Sequence, residues 1–544
     1  MSRRAHPLSW QRTDLANRLF FNTFFSHPAL ASAQGAALVH ANLRANRHKS
    51  GERKIVDALR NTLAGIEDRA DAAYFIAGGW QRGSGGALLD VVAPHSEEVL
   101  MRHPEATRED IDRAVAAARH AFDHGPWPRM TPAERGAALK RVAEHLAARL
   151  PELAEAWTGQ VGAVIGFTRK ASGQVPGLFD FYGDLAATYP FVEQRVRSSG
   201  GQVRVIGEPV GVCAAVTPWN APLVLLCYKI AAGLAAGCTF VAKPSPETPV
   251  DAHILAECIA AAGLPAGVFN MVPGGREIGD YLIRHPGIDK VSFTGSTAAG
   301  KAIAGACAER LTRFSLELGG KSAALILDDA DIGAVLPSLV PYSMPITGQV
   351  CFSLTRVLVP ATRRAEILDA YVEAVRRVRV GDPFDEGVQM GPLSLARQRD
   401  RVERYVARGR AEGARLVTGG GRPAAQNRGW YFEPTVFADV DPNMIIAREE
   451  IFGPVVSFIT YDDEADMIAK ANATDYGLHG AIYSADAERA FAVARSVNAG
   501  SLAINGMAVD IEMPFGGFKQ SGIGREGGIE GLENYLETKA VYFC

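Results

Sequence analysis

A chain of 544 residues is long enough for several domain-sized units, which excludes a single small module. Hydrophobic residues make up 47% and charged residues 22%, and 57 Lys and Arg against 60 Asp and Glu leave a formal net charge of -3. That balance fits an ordinary globular protein and argues against a nucleic-acid partner, because there is no chain-wide basic field.

Residues 1 to 72 differ from the rest. Up to Lys49 they carry six Arg and one Lys against the single acid Asp14, with no regular apolar period. An Arg-rich, acid-poor start can be a transit peptide; a mobile N-terminal extension is the simpler expectation. Helical periodicity follows in 108–122, 132–149 and 151–167. The pair 193–197 and 202–206, joined by Ser198 to Gly201, reads as a β-hairpin.

Between Gly211 and Gly319, five short apolar runs alternate with four helical patterns. Repeated βα units with all-apolar strands predict a parallel sheet covered on both faces, with ligands beyond the carboxyl ends of its strands. The most apolar stretch, 223–242, is long enough to span a bilayer. It carries Lys229, Gly233 and Gly237 and runs directly into Lys243, so a buried helix feeding a buried strand is expected, without a membrane partner. A second α/β region spans about 322–498, with strands in AALILD, TRVLVP, VVSFITY and HGAIYS. The chain closes on a loop-rich tail and an extended LETKAVYF suited to completing a sheet in another subunit.

Seven cysteines, at 213, 227, 238, 258, 307, 351 and 544, form no C-x-x-C pair, so free thiols in a reducing compartment, the cytoplasm, are expected. Two glycine-rich strings mislead. GSTAAGK (295–301) matches a phosphate loop until Ala302, which has no hydroxyl for a metal. Its strand-to-helix context still suits a pyrophosphate at Gly295 and Ser296. GIGREG (522–527) satisfies a dinucleotide fingerprint only literally, because too little chain follows for a βαβ unit. No serine-hydrolase elbow or zinc motif is present, and no metal is expected.

Four segments remain: TPWNAP (217–222), VAKPSPETP (241–249), LELGGKS (316–322) and TGQVCFS (347–353). A parallel sheet gathers Asn220, Lys243, Gly295 and Glu317 on one rim, because each lies at or just past a strand end. With FTGS (293–296), EEIFGPV (449–455) and PFGGFKQSGIGRE (514–526), these strings resemble the NAD(P)-dependent aldehyde dehydrogenase superfamily from about Tyr74 onward. The resemblance implies two doubly wound α/β domains, one Rossmann-like for the cofactor and one catalytic, plus a small β oligomerisation element. It places cofactor binding in 73–187 and 210–318, catalysis in 319–520, and assembly into a homodimer or homotetramer in 188–209 and 521–544.

The same resemblance implies Cys351, 34 residues beyond Glu317, as the nucleophile, with the Asn220 amide and the Cys351 backbone N–H as oxyanion donors. Glu317 would activate water to hydrolyse the thioester. Lys243 would meet the adenosine ribose, Trp219 and Ser296 the pyrophosphate region, and Glu450 with Phe452 the nicotinamide ribose and ring. The sequence departs from the family at one point. NAD-preferring members carry a Glu three residues past the Lys; here Pro246 stands there, Glu247 follows, and no Arg lies nearby in sequence, so NAD is expected with NADP as the alternative.

Ala221, Leu225, Tyr228, Val350, Phe352, Met507, Val509 and Ile511 suggest an apolar, roomy substrate channel, with Asp510 and Glu512 facing solvent. It offers neither an Arg for a carboxylate nor an aromatic cage for a quaternary ammonium. The expected activity is therefore oxidation of a hydrophobic aldehyde, medium-chain, terpenoid or aromatic, to its acid. A CoA-acylating enzyme is the rival reading, and a non-catalytic binding protein on the same fold is the rival of another class.

Overall fold

Five apolar strands form the centre of the first sheet: β1 (Val212–Val216), β2 (Thr239–Lys243), β3 (Phe269–Met271), β4 (Lys290–Thr294) and β5 (Arg313–Glu317). Between them run α1 (Pro222–Ala236), α2 (Val250–Ala261), α3 (Arg276–Arg284) and α4 (Thr297–Ala308), so the alternation read from sequence is present element for element. The computed structural model describes residues 74–543. The N-terminal extension and Cys544 lie outside the described residues.

The strands lie in the order β3-β2-β1-β4-β5, all parallel. Tyr74–Ile76 and Gly79–Gln81 extend the sheet antiparallel beyond β3, and Gly522–Ile523 closes it antiparallel on β5. The order reverses between β1 and β4, so the loops leaving their carboxyl ends diverge and leave a crevice there. Residues 217–221 and 295–296 are those loops, leading into α1 and α4.

After Leu318–Ser322 the chain enters a second sheet of seven strands: β6 (Ala323–Ile326), β7 (Arg356–Pro360), β8 (Arg415–Thr418), β9 (Thr435–Ala438), β10 (Val455–Tyr461), β11 (His479–Tyr483) and β12 (Ser501–Ile504). Their order is β8-β9-β10-β7-β6-β11-β12, parallel throughout except for the β8–β9 pair. β8, β9 and β12 were not anticipated; β8 and β12 are only partly buried and show no continuous apolar run. Helices α5 (Ile332–Ser343), α6 (Arg364–Arg376) and α7 (Ala396–Ala411) cross between them.

The early helices carry their own start signals. Thr107 and Asp110 form a capping box ahead of 108–123, and Thr131 and Glu134 do so ahead of 132–148. The single helix expected over 151–167 is instead two, Leu150–Val161 and Ile165–Ser172. Gly162 breaks it at φ 81°, where a Cβ would sit 2.7 Å from Pro392. Helix Val175–Thr188 escaped the sequence reading and packs on 132–148 through the facing backbones of Gly136 and Gly183. The apolar stretch 223–242 is the buried helix and strand expected, and no helix among the described residues is long and apolar enough to cross a membrane.

The hairpin Val192–Val196 and Gln202–Pro209 forms as read. The C-terminal strand Leu536–Tyr542 needs no second subunit to find a partner, because it pairs antiparallel with 203–209 of the same chain from Leu536↔Pro209 to Tyr542↔Val203. Val192, Val196, Val541 and Tyr542 remain exposed on this three-stranded sheet. Truncation after Tyr535 strips the ladder from Gln202–Pro209 and leaves it an open edge. We expect the truncated chain to lose its native size or aggregate by light scattering; a truncated protein of native size and melting temperature would contradict this.

Candidate active site

Glu317 ends β5, in register with Thr294 on one side and Gly522 on the other. Its side chain is buried, and Oε2 has no hydrogen-bond partner. Burial and the nearby Glu526 carboxylate hold its pKa well above the usual carboxylate range, against the opposing pull of Lys229 and Arg525. Lys229, from α1, is itself fully buried; it donates to Thr294 Oγ1 at 2.7 Å and pairs with Glu526. A cation, its counter-ion and a carboxyl of raised pKa thus share one buried pocket.

Cys351 follows a strained turn between α5 and β7. Ile346 and Thr347 both adopt left-handed conformations, at φ 47° and 58°, each costing about 1–3 kcal/mol unless the surroundings enforce it. They do. Thr347 Oγ1 donates to Gly391 O at 2.9 Å, and Gln349 Nε2 donates to Ile346 O at 2.9 Å. Gln349 Oε1 accepts from Ser394 N at 2.9 Å, and Gln349 O accepts from Asn220 Nδ2 at 2.8 Å. Trp157 Nε1 in turn donates to Asn220 O at 3.0 Å. The Asn220 amide is therefore fixed beside the Cys351 loop, with one N–H committed and one left over.

The Leu318–Ser322 link brings the other carboxylate in. Gly320 N donates to Glu450 Oε1 at 3.0 Å, and burial raises Glu450 to about 7, against Gly320, Arg401 and Lys321. Side chains would not fit here: a Cβ on Gly319 would collide with the Glu450 carboxylate, and one on Gly320 with the Cys351 carbonyl oxygen. Burial, then Glu450, then Glu317 push the Cys351 thiol above its ordinary value of 9.0, while the backbone N–H groups of Phe352 and Cys351 pull it down. The neutral thiol is therefore favoured over the thiolate in the resting protein.

The remaining candidates line the crevice. Trp219 and Phe452 meet edge to face at 5.5 Å, and Phe452 is itself left-handed at φ 61°. Its loop is held from α7, where Gln398 Nε2 donates to Phe452 O at 2.6 Å and Arg401 Nη2 to Glu450 O at 2.7 Å. Ser296 caps α4, its Oγ accepting from Ala299 N at 3.3 Å. Gly295 N donates to Glu317 O at 3.0 Å, and a Cβ there would strike the Phe293 ring. Lys243 Nζ donates to Gly274 O at 2.6 Å and Pro244 O at 3.1 Å, leaving one of three N–H groups. Burial lowers it to about 8.

One expectation is corrected. An Arg does stand by Glu247: Arg397, at the start of α7, pairs with its carboxylate across 150 residues of sequence.

Trp157, Val161, Ala163, Ile346 and Val350 form an apolar cluster, with Phe167, Ala171, Ala221, Val224 and Phe352 packed against it. Ala221, Val350 and Phe352 of the expected channel are thus together, while Tyr228 belongs to the first sheet's core and Met507 lies 2.8 Å from His479 Nε2. Asp510 and Glu512 are exposed, as expected. Trp157, Phe167, Gln349, Gln398 and Arg397 were not singled out from sequence. Only Gln349, a polar residue beside the Cys, carried any local signal.

A family model described as "Aldehyde dehydrogenase family" matches residues 80–541. The geranial dehydrogenase of Castellaniella defragrans is 45% identical over 86% of this chain and 98% of its own length. A betaine aldehyde dehydrogenase of Sinorhizobium fredii is 41% identical over 87% and 97%. A Mycobacterium tuberculosis aldehyde dehydrogenase solved with NAD+ superposes with a TM-score of 0.86 at 43% identity, covering 87% of this chain and 98% of that one.

The raised thiol gives a pH signature. Because the neutral form is favoured, the thiolate fraction grows only as pH rises toward the elevated pKa. Alkylation of Cys351 by iodoacetamide in the cofactor-free protein, with Cys351→Ala as the blank, should still climb beyond pH 9.0. A plateau below that pH would show a thiolate already formed.

Proposed function

The chain belongs to the aldehyde dehydrogenase family, and from that premise we propose that it oxidises a hydrophobic aldehyde to the carboxylic acid, using NAD and a Cys351 thioester. The observation that carries the reading is the bond from Asn220 Nδ2 to Gln349 O, which fixes an amide donor beside the Cys351 loop, with the buried Glu317 at the end of β5 on the same rim. The first sheet and its crevice are assigned to the cofactor, in 73–187 and 210–318, and the second to catalysis, in 319–520. The small sheet of 188–209 and 521–544 is assigned to assembly of a homo-oligomer, supported by its exposed Val192, Val196, Val541 and Tyr542. Five buried free thiols support a reducing compartment such as the cytoplasm.

Cys351 sulfur attacks the carbonyl carbon as its S–H bond breaks, the proton passing to bulk water. The carbonyl oxygen takes up the charge, met by the uncommitted N–H of Asn220 and the Cys351 backbone N–H. The crevice residues fit a dinucleotide: a lysine with a free N–H at one strand end, a serine at the start of α4, a backbone-anchored carboxylate, and an edge-to-face aromatic pair. NAD, when bound, supplies the acceptor for the hydride that leaves the same carbon.

Glu317 then draws a proton from water, the hydroxide adds to the thioester, and the S–C bond breaks to release the acid and regenerate sulfur. Its raised proton affinity makes it a stronger base but leaves less of it ionised at neutral pH. Such a buried base suits hydrolysis and counts against the CoA-acylating alternative. The apolar cluster around Trp157, Phe167, Ala221 and Val350 supports a hydrophobic substrate.

Cys351→Ala should abolish NADH formation while NAD binding persists, measured by absorbance and calorimetry; substantial residual turnover would overturn the nucleophile. Glu317→Gln should leave a burst of NADH and slow the steady state, whereas loss of the burst would remove Glu317 from deacylation. For the wild type, the pre-steady-state deacylation rate should rise with pH, since ionised Glu317 gains on the protonated form as pH climbs through its elevated pKa.

Across an aldehyde series, each added methylene contributes about 0.8 kcal/mol, or about fourfold in kcat/KM, until the channel fills. Octanal and geranial should exceed acetaldehyde, succinate semialdehyde and betaine aldehyde, and Ala221→Phe should penalise the bulkiest most. Superiority of either charged aldehyde would defeat the apolar reading.

A further inference from the structure

At the amino end of the second sheet lies a cavity of about 330 Å³, its open mouth included. Its wall takes in the first residues of β6, β7 and β11, namely Ala323, Arg356 and His479, with Lys321 and Ser322 just before β6. These three strands are parallel, so their starts share one end of the sheet.

Two basic side chains stand in this wall without a carboxylate. Arg356 is buried, and its guanidinium donates to main-chain oxygens: Nε to Lys321 O at 2.8 Å, Nη1 to Lys470 O at 3.0 Å and Nη2 to Ala471 O at 2.8 Å. Lys321 is 2% exposed, and its Nζ has no hydrogen-bond partner. Glu450 and Glu449 attract it electrostatically without hydrogen-bonding to it, while burial and Arg356 press it down to about 7. Among the described residues, no Asp or Glu belongs to the wall. His479 brings no charge either, since burial lowers it to about 4. Ser322 Oγ, in the same wall, is also buried without a partner. A buried ammonium with three unused N–H groups, close to a buried guanidinium, is costly unless negative charge reaches it.

We propose that this cavity binds a small, weakly hydrated monovalent anion, a halide of the size of chloride or bromide, with Lys321 Nζ as its principal donor. The rest of the wall is largely apolar, including Ala323, Leu325, Leu478 and Leu502. An ion that sheds its water readily is therefore favoured over fluoride or sulfate. Two unpartnered donors suit a single acceptor centre, whereas phosphate or a carboxylate would enter with acceptor sites left unmet. The ion neutralises Lys321 where the Leu318–Ser322 link enters β6, next to the residue whose N–H holds Glu450. Its role is to anchor that link.

The test uses the full-length protein without cofactor and bromide as the probe. Crystals soaked in sodium bromide and measured at the bromine absorption edge should show an anomalous peak in contact with Lys321 Nζ. Lys321→Met should lose it, and so should Lys321→Gln, which keeps a polar end and serves where the methionine variant does not fold. In solution, exchanging fluoride for bromide at constant ionic strength alters the stability of any protein through its surface. The quantity to read is therefore the difference between wild type and variant: at about ten times the dissociation constant of bromide, the wild type should gain about 1–2 °C in melting temperature on either variant.

Absence of a peak at this cavity in the wild type, or a peak that survives loss of the lysine charge, would overturn the assignment. A peak in crystals without the melting-temperature difference would mark an adventitious ion only, and would overturn it as well.

Discussion

The five-residue link Leu318–Ser322 is the constraint from which the rest of the site follows. Two side-chain-free residues let the Glu450 carboxylate and the Cys351 carbonyl approach the same stretch of backbone from opposite sides, while Glu317 stands just before it. The link also passes from the carboxyl end of one parallel sheet to the amino end of the other, since β5 ends at Glu317 and β6 begins at Ala323. A crevice made by the first sheet's switch of strand order is thereby faced with a nucleophile borne by the second. Any larger residue at Gly319 or Gly320 would wedge the two apart.

That closeness has an electrostatic cost. Glu317, Glu450 and Cys351 are all raised by burial, Glu317 further by Glu526 and Cys351 further by the two carboxylates, and the nearby Lys229 is buried against Glu526. Removing one member of such a pair is strongly destabilising, while the pair itself adds little. A core of aliphatic residues would be more stable in this position; the ionisable groups are retained at a site whose chemistry moves protons. The strained turn at Ile346 and Thr347 belongs to the same account, since the Thr347, Gln349 and Ser394 bonds that hold it also orient Cys351.

Much of this was legible in the sequence. The alternation over 211–319 was readable because strands buried on both faces become continuous apolar runs bounded by helices, and Asn220, Glu317 and Cys351 sit in short, unusual strings. The misses have physical causes. Gly162 ends a helix through its own left-handed backbone and two prolines from elsewhere in the chain, and β8 and β12, partly exposed along their length, show no continuous apolar run. Arg397 lies on a helix rich in arginine, ARQRDRVERYVARGRA, which reads as a solvated charged face. Its partner is 150 residues away, and only tertiary structure could supply it.

Trp157 has a double duty with a consequence for how this protein can change. Its indole N–H holds the carbonyl of Asn220, while its ring belongs to the apolar cluster with Phe167 and Val350. Reshaping the cavity at Trp157 would loosen the amide that meets the developing negative charge, so a new aldehyde gained there would be won at the expense of rate. Phe167, Ala171 and Val224 touch the same cluster without that second bond. Divergence toward new substrates should therefore accumulate at those three positions, around an indole that stays fixed.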